Sequence, residues 1–470
     1  MSGPFGSTPH NLFNTTATGF YNGVINQSLR LDDDDDANLT YTPSSSGNRK
    51  TWTLSLWIKR SNLEAGNQPF FSAGTSGTSW AVFFTSDEEL FVQSRSSSSN
   101  QFVHKTAAVF RDVSQWFHFL YAFDTTQTNQ EDRAKLYVNG EKLELLQHTS
   151  NPVYPSQNTD YHVNNSSLTH YIGYGATHNG YFDGYIAELH FVDGTAYDPT
   201  NFGETKDGIW IPKAYEGSHG TYGYYLPFDD GSAIGDDESA NTNDWTANNL
   251  AATDVVPDSP ENNFATANIL AVNTSGAWTT KQGNLKIQNS TNNKQIRGTF
   301  LMQSGKWYWE TRRHNNNNSD AQLSNGVGIS LASGYIENNP YQSATNWSYY
   351  SHTGNVYNNN TNTSYGDSWN TAGDIVGVAF DADNGAIWFS KNGTWQNSAT
   401  ASEIAAGTTT NAAYTGLTDS EGYVCVWWRT GGTVAVEIDI NFGTNPSFNQ
   451  ELTGSDVGTE SGDGGALFKY

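Results

Sequence analysis

Apolar residues along this chain alternate with polar ones or run together for five to eight positions, and helical spacing is nearly absent. Asn-Gly, Asp-Gly and Gly-rich stretches punctuate the runs, which is the rhythm of antiparallel strands joined by tight turns. Over residues 51–59, Trp52, Leu54, Leu56 and Ile58 fall on one face, and Thr51, Thr53, Ser55, Trp57 and Lys59 on the other. Successive strand residues point to opposite sides, so this segment is predicted to be a half-buried strand. "QWFHFLYAFD", "AKLYVNGEKLEL" and "GYFDGYIAELHFVDG" continue the pattern, with Asn139-Gly140 predicted as a hairpin turn. The second half offers six more strands: "GKWYWETR", "NGVGISLA", "GDIVGVAFD", "GAIWFSKNG", "YVCVWWRT" and "TVAVEIDINFG".

With 470 residues, the chain exceeds the roughly 250–300 at which single cores stop growing, so more than one domain is expected. The pattern predicts an all-β chain with two antiparallel β-sandwiches, at 20–214 and 273–448. They are flanked by an N-terminal segment, 1–19, and an acidic, Gly-rich tail, 449–470, ending in Phe468 and Tyr470. Residues 215–272, acidic, Asn-rich and Pro-containing, read as a connector that packs on something through Trp245 and Phe264.

A formal charge of −25, with only 23 Lys and Arg, argues against nucleic acid and against anionic membranes, because phosphate binding needs clustered cations. No run of 18 apolar residues exists, and the first residues lack a basic region followed by an apolar one. Neither membrane insertion nor a secretory signal is therefore expected. The single cysteine, Cys425, excludes an intramolecular disulfide, points to a reducing compartment or to a lineage that does without disulfides, and reads as a small buried hydrophobe in an apolar strand.

"GKWYWE" at 305–310, then "GVGIS", "GDIVGVAFDADNGAIWFSKNGTW" at 373–395 and "INFG", closely resembles a SPRY domain over roughly residues 273–448. The earlier segments "INQSLRLDDDDDANLTYTP", "WTLSLWIKR", "AKLYVNGEKL" and "YFDGYIAELHFVDGTAYDPTNFGE" look like a laminin-G or concanavalin A-like jelly roll. Their combination, joined by "DWTANNL…DSPENNFAT", is similar to structural proteins of tailed phages, particularly marine ones. The resemblance implies a virion protein assembled in the host cytoplasm, with other virion proteins and a host-surface glycan or protein as partners. Fibre-associated proteins are often trimers, which leaves a homotrimer open.

Several acidic motifs invite catalytic or metal readings. "DADNG", Asp381 to Gly385, fails as an EF-hand loop, because position 5 is Gly385 and position 12 is Asn392. A hairpin turn with positive φ at Asn384-Gly385 is predicted instead. Asp32 to Asp36 present five adjacent carboxylates, but extended neighbours diverge, so a solvated loop is expected. "EIDINFG" places Glu437 and Asp439 on one face, as in the E-x-D-x-x-E strand of concanavalin-like glucanases, yet Asn441 and Phe442 stand where a third carboxylate is needed. His162, His170, His178 and His190 lack a compact ligand spacing, and no H-E-x-x-H, G-x-S-x-G, Walker or C-x-x-C motif occurs. No catalytic residue, metal or cofactor is assigned.

The strongest binding candidate is Tyr341 to Asn370, a long polar stretch studded with aromatics between two SPRY-like strands. Its candidate contacts are Trp347, Tyr349, Tyr350, Tyr357, Tyr365 and Trp369. The four tyrosines are expected to be exposed, whereas the two tryptophans fit plugging the sandwich end equally well. The leading expectation is a non-enzymatic, tail- or fibre-associated protein that attaches to the host surface. Capsid decoration or scaffolding is the alternative, and an endoglycanase the third.

Overall fold

A computed structural model describes residues 20–63, 66–272, 278–289, 294–314, 324–334, 340–430 and 435–444. The segments read from sequence as 1–19 and 449–470 lie outside these residues. The chain divides between Asn263 and Phe264 into two units, each an antiparallel β-sandwich.

In the first sandwich one sheet runs, in spatial order, Glu141–Lys142, Ala134–Val138, Phe117–Asp124, Thr51–Arg60, Gly184–Asp193, Ser28–Leu31 and Val255–Val256. Tyr224–Leu226 also pairs with Gly184–Asp193. The facing sheet runs Leu146–Gln147, Ser99–Val109, Glu89–Ser96, Thr78–Phe84, Gln68–Thr75, His170–Ile172, Asn38–Tyr41 and Thr246–Asn248. Asn139 and Gly140 both have positive φ and join Val138 to Glu141, as the hairpin reading predicts.

Strand Thr51–Arg60 corrects the half-buried expectation. Trp52, Leu54, Leu56 and Ile58 do face the core, but the opposite face is buried as well. Chain from elsewhere covers it and satisfies its polar groups. His118 Nε2 lies 2.8 Å from Ser55 Oγ, while the Trp210 indole N–H donates to His118 Nδ1 at 3.2 Å. Lys59 donates to Asp258 and Asn263, each at 2.8 Å, and Trp116 Nε1 donates to the other oxygen of Asp258 at 2.8 Å. Both members of the Lys59–Asp258 pair have fully buried side chains. A buried charge is tolerated only when paired and hydrogen-bonded, and here each is.

The predicted connector is therefore mostly not one. Tyr224–Leu226, Thr246–Asn248 and Val255–Val256 are strands of the first sandwich, Trp245 sits in its core, and Asp258 and Asn263 anchor to Lys59. The second sandwich begins earlier than residue 273, with strand Ala267–Val272.

That sandwich pairs a sheet ordered Ala267–Val272, Lys294–Gly298, Tyr423–Thr430, Ser324–Leu331, Asn346–Tyr350, Asn355–Asn358 and Thr361–Ser364 with a second sheet. The second runs Trp278–Lys281, Lys286–Asn289, Val436–Asn441, Lys306–Arg313, Ile375–Asp381, Ala386–Lys391 and Thr394–Trp395. Asp381 pairs with Ala386, so "DADNG" closes a hairpin as predicted, but of those residues only Gly385 carries positive φ. The intervening residues are held by Asp381, whose carboxylate accepts the backbone N–H of Asp383 and of Asn384 at 3.1 and 2.9 Å. The two-residue turn with both φ positive lies one strand later, at Asn392-Gly393. Cys425 is buried against Gly298, and burial pushes its thiol up to about 12, away from nucleophilic chemistry.

Candidate functional site

Tyr341 to Asn370 is not a loose insertion: it supplies strands Asn346–Tyr350, Asn355–Asn358 and Thr361–Ser364 at one edge of a sheet. Alternation along "NWSYY" then decides each residue's role. Trp347 and Tyr349 face inward. Tyr349 is fully buried, stacks on Phe389 at 5.2 Å and donates its hydroxyl to the Asp367 carbonyl, while Trp347 packs partly buried against the same core. Tyr365 and Trp369 are also core residues, the Tyr365 hydroxyl accepting the Phe389 N–H at 3.2 Å. Burial raises both phenols, Tyr349 and Tyr365. The expectation of exposed tyrosines thus fails for these two, and Trp369 proves to be a plug. The physical reason is parity: an aromatic at the inward position of a sandwich strand is drawn into the core.

Tyr350 and Tyr357 remain on the outer face, only partly buried. Tyr350 lies 5.0 Å from Tyr357 and stacks on Trp428 at 5.7 Å and 16°. Tyr341, from the short helical turn Pro340–Gln342, joins them at 6.1 Å from Tyr357 and 6.0 Å from Trp428, and His352 abuts Tyr350 at 6.4 Å. Gly326 makes this arrangement possible. It sits between Tyr350 and Trp428 in register, and a Cβ there would lie 2.0 Å from the indole.

The same face carries polar groups that the protein leaves unpaired. Asn346 and Ser348 share the parity of Tyr350, and Ser348 lies directly across from Tyr357. Both are fully buried, yet neither polar atom of the Asn346 amide nor the Ser348 hydroxyl has a hydrogen-bond partner; the Trp428 indole N–H has none either. Each such group costs on the order of 1–3 kcal/mol. Sequence reasoning missed Tyr341, Asn346, Ser348 and Trp428. The alternation of "NWSYY" and of "YVCVWW", where Trp427 is core and Trp428 faces outward, held the signal.

Elsewhere, Glu437 and Asp439 share a face as predicted but are engaged as ions. Lys286 lies 3.4 Å from Glu437 and 3.7 Å from Asp439, and Arg312 pairs with Asp439 at 2.7 Å. In the acidic loop the expected divergence fails for two residues: Asp32 and Asp33 converge with each other and with Asp183, their carboxylate oxygens all within 4.8 Å of one another. Among the described residues this is the one cluster that could hold a metal ion. The carboxylates are also bonded within the protein, Asp183 to Ser61 Oγ at 2.8 Å and Asp32 to the Asp34 N–H at 3.0 Å. The histidines are mostly core groups. His190 bridges His219 at 3.0 Å and Glu188 at 3.2 Å, and Tyr225 donates to Glu188 at 2.8 Å.

Comparison with known proteins agrees with the two sandwiches. Residues 32–198 match the Concanavalin A-like lectin/glucanases superfamily, and residues 306–416 match the SPRY domain family. No curated protein sequence matches the chain. Among solved structures, similarity extends to the SPRY domain of human HERC1, at 17% identity and TM-score 0.30, covering 37% of this chain and 97% of that one. A SAP-like pentraxin from Limulus polyphemus is 17% identical with TM-score 0.25, covering 34% of this chain and 71% of that one. A putative carbohydrate binding protein from Bacteroides ovatus is 15% identical with TM-score 0.31; the match covers 48% of this chain but only 58% of that one. The chain thus carries, in order, a concanavalin A-like domain and a SPRY domain, folds that fit a binding module.

Proposed function

We propose that this protein is a non-enzymatic component of a tailed-phage virion, tail- or fibre-associated, whose second sandwich attaches to a glycan or protein of the host surface. The observation that carries the binding reading is the outer face of strand Asn346–Tyr350: partly buried tyrosines over a fully buried amide and hydroxyl that have no partner. Aromatic faces supply the apolar contact of a recognition site, and the polar groups lie directly beneath them. The ion-paired state of Glu437 and Asp439 supports a non-enzymatic role. The virion setting rests on the likeness of the paired domains and their "DWTANNL…DSPENNFAT" join to tailed-phage structural proteins. The test is adsorption: purified protein is expected to bind host cells and to compete with phage, and Tyr350→Ala/Tyr357→Ala to lose both while remaining folded. Failure of the unaltered protein to bind or compete would remove the proposal.

A further inference from the structure

The first sandwich carries a second aromatic surface, far from the first in sequence. Tyr171, Tyr174 and Tyr181 are all partly exposed, with ring centroids 5.2 Å apart for Tyr171–Tyr174 and 4.6 Å for Tyr174–Tyr181. Tyr174 and Tyr181 face each other across the small hairpin Tyr174–Gly175 and Gly180–Tyr181. Its backbone is pinned flat on strand Gln68–Thr75. A Cβ at Gly175 would lie 2.7 Å from Pro69, and one at Gly180 would lie 2.4 Å from the Asn67 carbonyl. Ser72 Oγ donates to the Tyr174 carbonyl at 2.8 Å, Thr177 Oγ1 to the Thr75 carbonyl at 3.2 Å, and His178 packs against Phe83 with ring centroids 4.0 Å apart. The three rings therefore stand on a fixed base, which lowers the ordering cost of a ligand that stacks on them.

The acidic loop approaches this platform. The acidic loop folds as a turn, the Asp36 N–H donating to the Asp33 carbonyl at 3.2 Å, and it leaves Asp34, Asp35 and Asp36 exposed. The loop meets the strand of the tyrosines at Gly173, where a Cβ would lie 3.2 Å from the Ala37 carbonyl. Burial raises the phenols of Tyr174 and Tyr181; the Asp36 carboxylate adds to the rise at Tyr181, and Tyr171 and then Asp36 add to it at Tyr174.

We infer that the Tyr171–Tyr174–Tyr181 platform, with Asp36 at its rim, is a second binding site, and that its ligand is a neutral sugar ring of a polysaccharide. A pyranose presents a C–H face that stacks on aromatic rings and edge hydroxyls that donate to carboxylates. The carboxylate rim disfavours uronic, sulfated or sialylated sugars through like-charge repulsion. This site is independent of the tyrosines on the second sandwich, so either stands if the other fails.

Affinity electrophoresis of the full chain through gels containing galactomannan, mixed-linkage β-glucan or dextran, with alginate as the anionic counterpart, tests the inference. At least one neutral polysaccharide is expected to retard the protein, and alginate is not. Tyr174→Ala/Tyr181→Ala is expected to weaken retardation at least tenfold and Asp36→Asn several-fold. Should the double variant disturb the hairpin, Tyr171→Ala, on a strand paired on both sides, is expected to weaken retardation in the same direction. Absence of retardation by every neutral polysaccharide, stronger retardation by alginate, or undiminished retardation of the folded tyrosine variants would each overturn the site.

Discussion

The two sandwiches share an architecture and treat their outer faces in opposite ways. On strand Thr51–Arg60 of the first, the outward residues Ser55 and Lys59 are covered by distant chain and given partners in His118, Asp258 and Asn263. On strand Asn346–Tyr350 of the second, the outward residues Asn346 and Ser348 are buried without partners beside tyrosines that are still partly open to solvent. The same alternation thus builds a satisfied polar layer in one domain and an unsatisfied one, beneath partly exposed tyrosines, in the other. A polar residue facing outward on a sandwich strand says nothing by itself; its role depends on what covers it.

Breaking the satisfied layer should have the largest effect. Lys59→Met deprives the fully buried Asp258 carboxylate of the cation that neutralises it, and is expected to cost the first sandwich about 3–5 kcal/mol. Urea unfolding followed by domain-resolved hydrogen exchange should show the loss there and not in the second sandwich. A comparable loss, about 3–5 kcal/mol, is expected in the second sandwich from Tyr349→Ala, which empties a core position. Its neighbour Tyr350→Ala, facing outward, should cost well under about 1 kcal/mol, because a partly exposed side chain gives up little burial on removal. Equal losses at 349 and 350 would erase the distinction between the two faces.

Acid sharpens the comparison. His104, His118 and His170 lie fully buried in the first sandwich, and burial lowers their pKa values to about 4, 3 and 4. The unfolded chain binds protons on these imidazoles near pH 6.5, before the folded one does. Their contribution to stability is therefore complete above about pH 6.5 and is lost as pH falls toward 4, each imidazole giving up roughly 1.4 kcal/mol for every tenfold rise in proton concentration across that window. In the second sandwich the described histidines are His314, exposed, and His352, partly buried. Calorimetry from pH 7 to pH 4.5 should show the first transition moving down further than the second. Gly298→Ala tests one close contact, since the new methyl group would meet Cys425 Sγ at 2.1 Å. It is expected to cost about 1–3 kcal/mol, and Cys425→Ala should recover part of that in the double variant.

How much of this was legible beforehand follows from the range of the interactions. The turns at Asn139-Gly140 and Asp381–Gly385 were readable, because turn chemistry is written in adjacent residues. The parity that sends Tyr349 inward and Tyr350 outward was readable too; treating residues 341–370 as one loop concealed it. The burial of both faces of Thr51–Arg60 was not readable, since Lys59 and Asp258 are 199 positions apart and no local pattern couples them. The meeting of Asp183 with Asp32 and Asp33 was hidden for the same reason.

The Lys59–Asp258 anchor also sets a timetable for synthesis. Strand Thr51–Arg60 emerges from the ribosome some two hundred residues before the carboxylate that neutralises it, and Ser28–Leu31 waits equally long for its edge partner Val255–Val256. At roughly 5–20 residues per second, the nascent first domain spends on the order of ten seconds or more with a lysine awaiting its counter-ion and a sheet edge unpaired. Closure of that domain is therefore a late event, coinciding with the arrival of the first residues of the SPRY domain rather than preceding them.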